Sequence, residues 1–258
     1  WLPAAMVAPT PVSALLHAVA VVKAGVFSVL KVVVYIFGPE QLLATGASEW
    51  LVYLATFSLL AASVVALTKD NLKARLAYST ISQLAYIVLA AAIATPLALV
   101  GGAMHILMHA FGKITLFFVA GAIYTTTHKT KVSQLNGIGR AMPFTMTAFF
   151  IGALSIIGLP PLGGAWSKLY IALGGLDGDY WFVVAALMIS SVLNVAYLMP
   201  IVVRAFFTSP DEDEEIMAMK EAPWLCVVPL CFTALACGVL FFMPDRLEVF
   251  LGGIMGAL

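Results

Sequence analysis

The chain has 258 residues, of which 62% are hydrophobic and only 10% charged, with 13 basic and 13 acidic side chains in balance. Its mean hydropathy is +1.04. Soluble domains carry about 25% charge, so this composition excludes them; the zero net charge gives no reason to expect nucleic acid as a partner.

The apolar runs are continuous rather than alternating, which excludes a membrane β-barrel and leaves an all-α, polytopic transmembrane helix bundle. The chain opens on Trp1-Leu2-Pro3 with no charged leader before the first apolar run. That opening reads as a longer protein cut upstream. In chain order, spans are expected near 12–37, 49–68, 72–94, 97–125, 142–159, 180–207 and 223–243, each long enough for a hydrocarbon core of about 30 Å.

After the fifth span, Gly158-Leu159-Pro160-Pro161-Leu162-Gly163-Gly164 cannot continue a regular helix. A short apolar helix resumes around 165–176, giving a discontinuous helix. Irregular backbone at membrane depth is tolerated only where protein buries it or water reaches it, and broken helices commonly sit at transporter ion sites. Treating the resumed helix as a re-entrant half-crossing collects Lys69, Lys73, Arg75, Lys129, Lys131, Arg140, Arg204 and Lys220 on one face. Arg246 and the acidic Glu40, Glu49, Asp177 and Asp179 fall on the other. The positive-inside rule puts the basic loops in the cytoplasm. The acidic run Asp211–Glu215 reads as a solvated cytoplasmic loop; the alternative is a docking surface for a partner protein of the same complex.

Seven basic side chains lie inside or at the mouth of these spans: His17, Lys23, Lys73, His105, His109, Lys113 and Lys168. No Asp or Glu lies within the apolar stretches to neutralise them. A charge at the bilayer centre costs roughly 2.5 kcal/mol or more, so such groups persist where they work or are paired. His105, His109 and Lys113 share one helix face at four-residue spacing and cover about 12 Å of axial height. Such a row can hand protons along through intervening water. The competing readings are histidines that merely bond a neighbouring helix, or a zinc pair. The second has no Cys, Asp or Glu nearby to complete it, so no metal and no cofactor are expected.

Lys23 lies mid-helix beside the small Ala24 and Gly25, and snorkelling suits Lys31 better. His17, six residues from Lys23, points to a different face. Lys73 falls in a first turn capped by Asp70 or Asn71, where an anchoring lysine and a relay group are equally good readings. Below it Ser79, Ser82, Gln83 and Tyr86 form a polar stripe facing protein or water. Lys168 follows the Gly-Pro break, where it either relays protons or caps freed carbonyls. Cys226, Cys231 and Cys237 lack the spacing of a disulfide or metal framework and read as buried thiols.

Several motifs in order carry a resemblance. Trp1-Leu2-Pro3-Ala4-Ala5-Met6 with Ala8-Pro9-Thr10-Pro11-Val12-Ser13-Ala14-Leu15-Leu16-His17-Ala18, then Leu76-Ala77-Tyr78-Ser79-Thr80-Ile81-Ser82-Gln83, then Met108-His109-Ala110-Phe111-Gly112-Lys113 resemble the proton-translocating membrane family. That family comprises the antiporter-like subunits of respiratory complex I and the large subunits of Mrp cation/proton antiporters. The resemblance implies an antiporter-like fold over 1–207, truncated at its N-terminal side, followed by an acidic cytoplasmic loop and a last transmembrane helix over 208–258. It implies that Lys73 matches the central-axis lysine, that His105, His109 and Lys113 match the central hydrophilic row, and that Lys168 matches the lysine of the second broken helix. His17 and Lys23 match the helix after the first broken one. The family's Glu–Lys input pair would lie upstream of Trp1. Leu169 stands where the largest complex I subunits often have an acid, and Val22-Lys23-Ala24-Gly25 with Leu159–Lys168 looks more like the D-type subunit of an Mrp antiporter.

The expected activity is therefore proton conduction along a Lys/His relay, coupled to exchange of Na⁺ or another monovalent cation, in the plasma (inner) membrane of a prokaryote. The expected partners are the other subunits of a hetero-oligomeric membrane complex. Redox chemistry would belong to those subunits, since the chain carries no flavin, haem, quinone or iron–sulfur motif. The alternatives are a proton-pumping subunit of an NADH:quinone oxidoreductase and a non-conducting membrane scaffold.

Overall fold

A computed structural model of the chain describes residues 1–209 and 220–255, with side chains 16–18 and 254–255 outside the description. The acidic run 211–215 and the side chain of His17 therefore lie outside the described residues. Among the described residues the regular structure is helical, apart from one isolated bridge between Asn71 and Lys131.

The principal helices are α1 (Val21–Lys31), α2 (Pro39–Thr45), α3 (Glu49–Thr68), α4 (Leu72–Ile93), α5 (Pro96–Thr127), α6 (Pro143–Ile157), α7 (Gly164–Asp177), α8 (Trp181–Phe207), α9 (Trp224–Val239) and α10 (Pro244–Met255). Among the described residues five helices are long and apolar enough to cross a membrane, or six if α1 with its extension counts as one span with α2, which bends away by 80°. The first expected span is not one regular helix: π-helical stretches Ser13–Ala20 and Val32–Phe37 flank α1. The second of these ends at Gly38, which has a positive φ. The final helix α10 follows the last expected span and has a markedly lower mean hydropathy, which explains why the apolar pattern did not reveal it.

The 32-residue α5 is the spine of the bundle. Contacts along it correct the expectation of a re-entrant segment. Gly152 on α6 lies against Leu116 and Thr115, Ile156 against Gly112, Gly163 against Met108, Ile171 on α7 against Gly101, and Gly174 against Ala98. Positions rise on one side as they fall on the other, so α6, the break and α7 run antiparallel to α5 over almost its whole length. Neither half spans alone, with 15 and 14 residues, or about 22 Å each. Together they make one interrupted crossing. The charge separation read from the sequence is compatible with either geometry, because both place 177–179 opposite Arg140 and Arg204.

That separation is visible in the loops. At one end Leu72 N donates to the Thr130 carbonyl at 2.9 Å, Val132 N to Asp70 at 2.8 Å, and Gly137 N to Arg204 at 2.9 Å. The Ser133 hydroxyl donates to Asp70 Oδ2 at 2.8 Å, which holds that carboxyl below its ordinary range. At the other end Tyr53 stacks on Phe182 at 5.3 Å. Burial, and then the Glu49 charge, push the Tyr180 phenol up there.

The α5–α7 crossing is tight. A Cβ on Gly174 would fall 2.3 Å from Ala98 N, so only glycine allows this approach. Thr95 Oγ1 donates to the Gly174 carbonyl at 2.8 Å beside it. Helices that pack through small residues in lipid gain close van der Waals contact and short interhelical hydrogen bonds. Leu230 and Ala234 on α9 join the same apolar core as Phe117, Phe149 and Leu198.

Candidate functional site: a buried row of bases

Lys23, His105, His109, Lys113 and Lys168 are all buried, and among the described residues the buried polar set contains no carboxylate. Three elements bring most of this row together. The His105 and His109 rings stack at 5.7 Å between centroids, and Tyr86 of α4 stacks on His105 at 5.4 Å. Four-residue spacing on α5 produces the first contact directly.

His105 Nδ1 lies 2.8 Å from Ser167 Oγ on α7, which donates in turn toward the Gly164 carbonyl at 3.2 Å. Lys168 Nζ donates to the Ile157 carbonyl at 2.8 Å and to Ser191 Oγ of α8 at 3.3 Å, and lies 5.0 Å from the Tyr86 ring centroid. The break thus supplies what the sequence suggested: a carbonyl at the end of α6 that no helix continues to use. Backbone capping and a place in the row are both satisfied by the same lysine.

Lys113 Nζ donates to Ser79 Oγ at 2.6 Å and to the Leu76 carbonyl at 3.2 Å. Lys23, Lys113 and Lys168 all lie within electrostatic reach of His109. Lys23 opens on its other side to a cavity of about 590 Å³, with Phe27, Ile106, Ala110 and Leu251 among its walls.

Lys73 stands apart. Asn71 caps α4 by accepting from Ala74 N at 3.0 Å, and Lys73 Nζ donates to the Ala8 carbonyl at 2.7 Å. It is half-buried at the basic end of the bundle and lines a cavity of about 460 Å³ with Lys129 and Tyr124. It begins the turn whose Leu76 carbonyl meets Lys113, so it borders the row without belonging to it.

The stripe Ser79, Ser82, Gln83 and Tyr86 is entirely buried. Opposite it, α8 presents Ser190, Asn194 and Tyr197, also buried, and Ser63 of α3 joins Ser82 at 2.8 Å. The α8 residues were not identified as site residues from the sequence. Their spacing of four and three in an apolar helix is the signal that finds them.

Several atoms along this seam have no well-aligned partner among the described residues: His105 Nε2, both His109 nitrogens, both amide atoms of Gln83, Asn194 Nδ2 and the Tyr86 hydroxyl. Buried polar groups normally have partners, and each unmade bond costs about 1–3 kcal/mol. A contiguous run of them along titratable side chains is polar enough to hold ordered water. Among the described residues no cluster of His, Cys, Asp and Glu could hold a metal ion.

A family model described as NADH:quinone oxidoreductase/Mrp antiporter, transmembrane, matches residues 1–194. The chain belongs to this family. Among its members, NADH-quinone oxidoreductase subunit N of Desulforudis audaxviator (strain MP104C) is 37% identical over 210 residues, covering 80% of this chain and 41% of that protein. A probable K(+)/H(+) antiporter component of the A/B type from Rhizobium meliloti (strain 1021) is 34% identical over 255 residues, covering 95% and 24%. Among solved structures, the Mrp complex from Dietzia sp. DQ12-45-1b superposes with a TM-score of 0.86 at 19% identity, over 99% of this chain and 54% of that one. Thermus thermophilus respiratory complex I superposes with a TM-score of 0.77 at 21% identity, over 92% and 51%. The antiporter-like fold is common to both kinds of assembly, and the chain spans about half or less of the length of these relatives.

Proposed function

We propose that the chain is the proton-conducting part of one component of a multisubunit monovalent cation/proton antiporter, exchanging H⁺ for Na⁺ or K⁺. The observation that carries this reading is the row Lys23–His109–His105–Lys168, with Lys113 beside it, lined by orphaned polar atoms and free of buried carboxylates among the described residues. Buried bases such as His105, His109, Lys113 and Lys168, with no carboxylate in the buried set among the described residues, would be a heavy cost for a scaffold. As exchangeable proton sites joined by water they have a use. His17 is proposed as a further relay group, and Lys73 as an outer member of the route at the basic end that the positive-inside rule assigns to the cytoplasm. The division into a conducting region over 1–207 and a loop and helix over 208–258 is part of the same proposal, as is residence in a prokaryotic plasma membrane.

A second reading, a proton-pumping subunit of an NADH:quinone oxidoreductase, is favoured by the 37% identity to a subunit N. It uses the same row, with the driving reaction in other subunits. The two are separated by assaying the purified whole complex for NADH:quinone turnover and for cation-dependent proton flux in vesicles.

In those vesicles Lys113→Ala and Lys168→Ala are each expected to lower proton flux by about tenfold or more, as expected for removal of a proton-transfer group, with the complex still assembled. Wild-type flux in both variants would remove the relay.

A further inference from the structure

The cavity of about 460 Å³ that Lys73 and Lys129 line at the basic end of the bundle continues into a second one. Its polar wall is made by the two lysines with Asn71, Thr130 and Tyr124, and among the described residues it has no carboxylate. The second cavity holds about 390 Å³, and Pro9, Thr10 and Tyr124 belong to both. Beyond those three residues the character changes. Phe117 and Phe118 of α5 face Leu225, Cys226 and Pro229 of α9 across an apolar groove.

The groove has a direction. Because α5 ends at Thr127 on the basic side, the step from Tyr124 back to Phe117 leads toward the bilayer centre. Seven residues of helix cover about 10 Å of that path. Tyr124 and Trp224, at the start of α9, are both exposed at the upper end. Tyrosine and tryptophan gather at the headgroup level of a bilayer. A basic chamber at headgroup depth thus opens into an apolar groove that descends into hydrocarbon.

Lys73 makes an anion welcome in the chamber. It stands in the first turn of α4, where the helix dipole disfavours a cation. Of its three ammonium hydrogens, one goes to the Ala8 carbonyl at 2.7 Å. An anionic oxygen in the chamber offsets the dipole and can accept another.

We propose that the joined cavities bind one anionic phospholipid from the leaflet at the basic end, with its phosphate at Lys73 and Lys129 and one acyl chain along Phe117 and Pro229. Basic pockets between membrane helices select lipids in this way. A zwitterionic lipid brings an ammonium that the lysines repel. Free phosphate has nothing to place in the groove, and an apolar protein segment leaves the lysine charges unmatched. The site does not depend on the proton-relay reading, since Lys129 has no place in the row.

Cys226 reports on the groove directly. It is a free, half-buried thiol in the groove wall, whereas Cys231 is equally free and half-buried but lies outside that wall. The whole complex is delipidated in detergent and treated with N-ethylmaleimide, and alkylation of both thiols is followed by peptide mapping. Phosphatidylglycerol, phosphatidylcholine or inorganic phosphate is added in separate arms. Phosphatidylglycerol should slow alkylation of Cys226 and leave Cys231 unchanged, at concentrations where the other two protect neither. Lys129→Gln should raise the half-protecting phosphatidylglycerol concentration about fivefold, as for loss of one basic contact to an anionic lipid. If that variant fails to assemble, Lys73→Gln should give the same shift. Equal protection by phosphatidylcholine would show a groove that takes any acyl chain. Protection by inorganic phosphate would show a free-anion site. Cys226 already protected in the delipidated complex, with no anionic phospholipid found in it by mass spectrometry, would show that protein or another lipid fills the groove. Each of these three results overturns the proposal, as does an unchanged midpoint in the lysine variants.

Discussion

The aliphatic stem of Lys168 passes so close to Gly158 that a Cβ on the glycine would stand 2.8 Å from the lysine Cδ. Gly158 also has φ +89°, a region that residues with a side chain avoid. Backbone geometry and lysine placement are therefore set by one position, the end of α6, where the Ile157 carbonyl receives the Lys168 ammonium.

Gly158→Ala should accordingly do two things at once. The positive φ costs about 1–3 kcal/mol, and the lysine stem must shift away from the Ile157 carbonyl. Lower thermal stability of the complex, together with proton flux depressed toward that of Lys168→Ala, is the expected result. Stability lost with flux retained would separate the glycine's backbone role from the placement of the lysine.

The basic end of the bundle makes a prediction in pH. Asp70 joins the loop before α4 to the loop after α5 by accepting from the Ser133 hydroxyl at 2.8 Å and the Ser133 N–H at 3.0 Å. Those bonds, and the charges of Arg75 and Lys131, hold its carboxyl below the ordinary value of 3.8. A depressed carboxyl stabilises the folded state fully above the unfolded-state value and loses that contribution as pH falls through the lower folded one. Wild type should hold this junction better than Asp70→Asn near neutral pH, by no more than about 1 kcal/mol because solvent screens the group. The advantage should fade below about pH 4. Hydrogen exchange of 130–135 in the two proteins at pH 3 and pH 7 measures it, and equal protection at pH 7 would show that the charge adds nothing.

Much of this architecture was legible in the chain because lipid leaves few choices. Apolar length located α3, α4, α5 and α8, and four-residue spacing aligned His105, His109 and Lys113 on one face. The Gly-Pro run marked the break but not its direction. Whether α7 turns back or continues depends on what it packs against, and the contact of Gly174 with Ala98 that decides it lies 76 positions away in sequence. The partners of the row were hidden for a related reason. Ser167, Asn194 and Tyr197 were not identified as site residues from the sequence. Only the packing of α7 on α5 sets Ser167 beside His105, and only that of α8 on α4 brings Tyr197 to the Ser79 that bonds Lys113. Lys73, by contrast, carries a charge in a helix and still lies outside the buried row, because its position at a capped first turn lets it reach the Ala8 carbonyl instead.

Gln83 tests whether the seam is wet. It is fully buried, both atoms of its amide lack partners among the described residues, and it stands one turn from Ser79 and nearly one from Tyr86 on the same face of α4. In a dry seam such a residue only costs free energy, and Gln83→Leu, of similar volume, should raise thermal stability without touching transport. In a hydrated seam the amide holds water beside the histidines, so the same substitution should leave stability level or higher while lowering proton flux several-fold. The second outcome is expected, because Gln83 is one member of a run of orphaned atoms that includes both nitrogens of His109. Measuring melting temperature and flux on the same preparation gives the answer. Higher stability with unchanged flux would mean that protons reach Lys168 by a route that bypasses this stretch of α4.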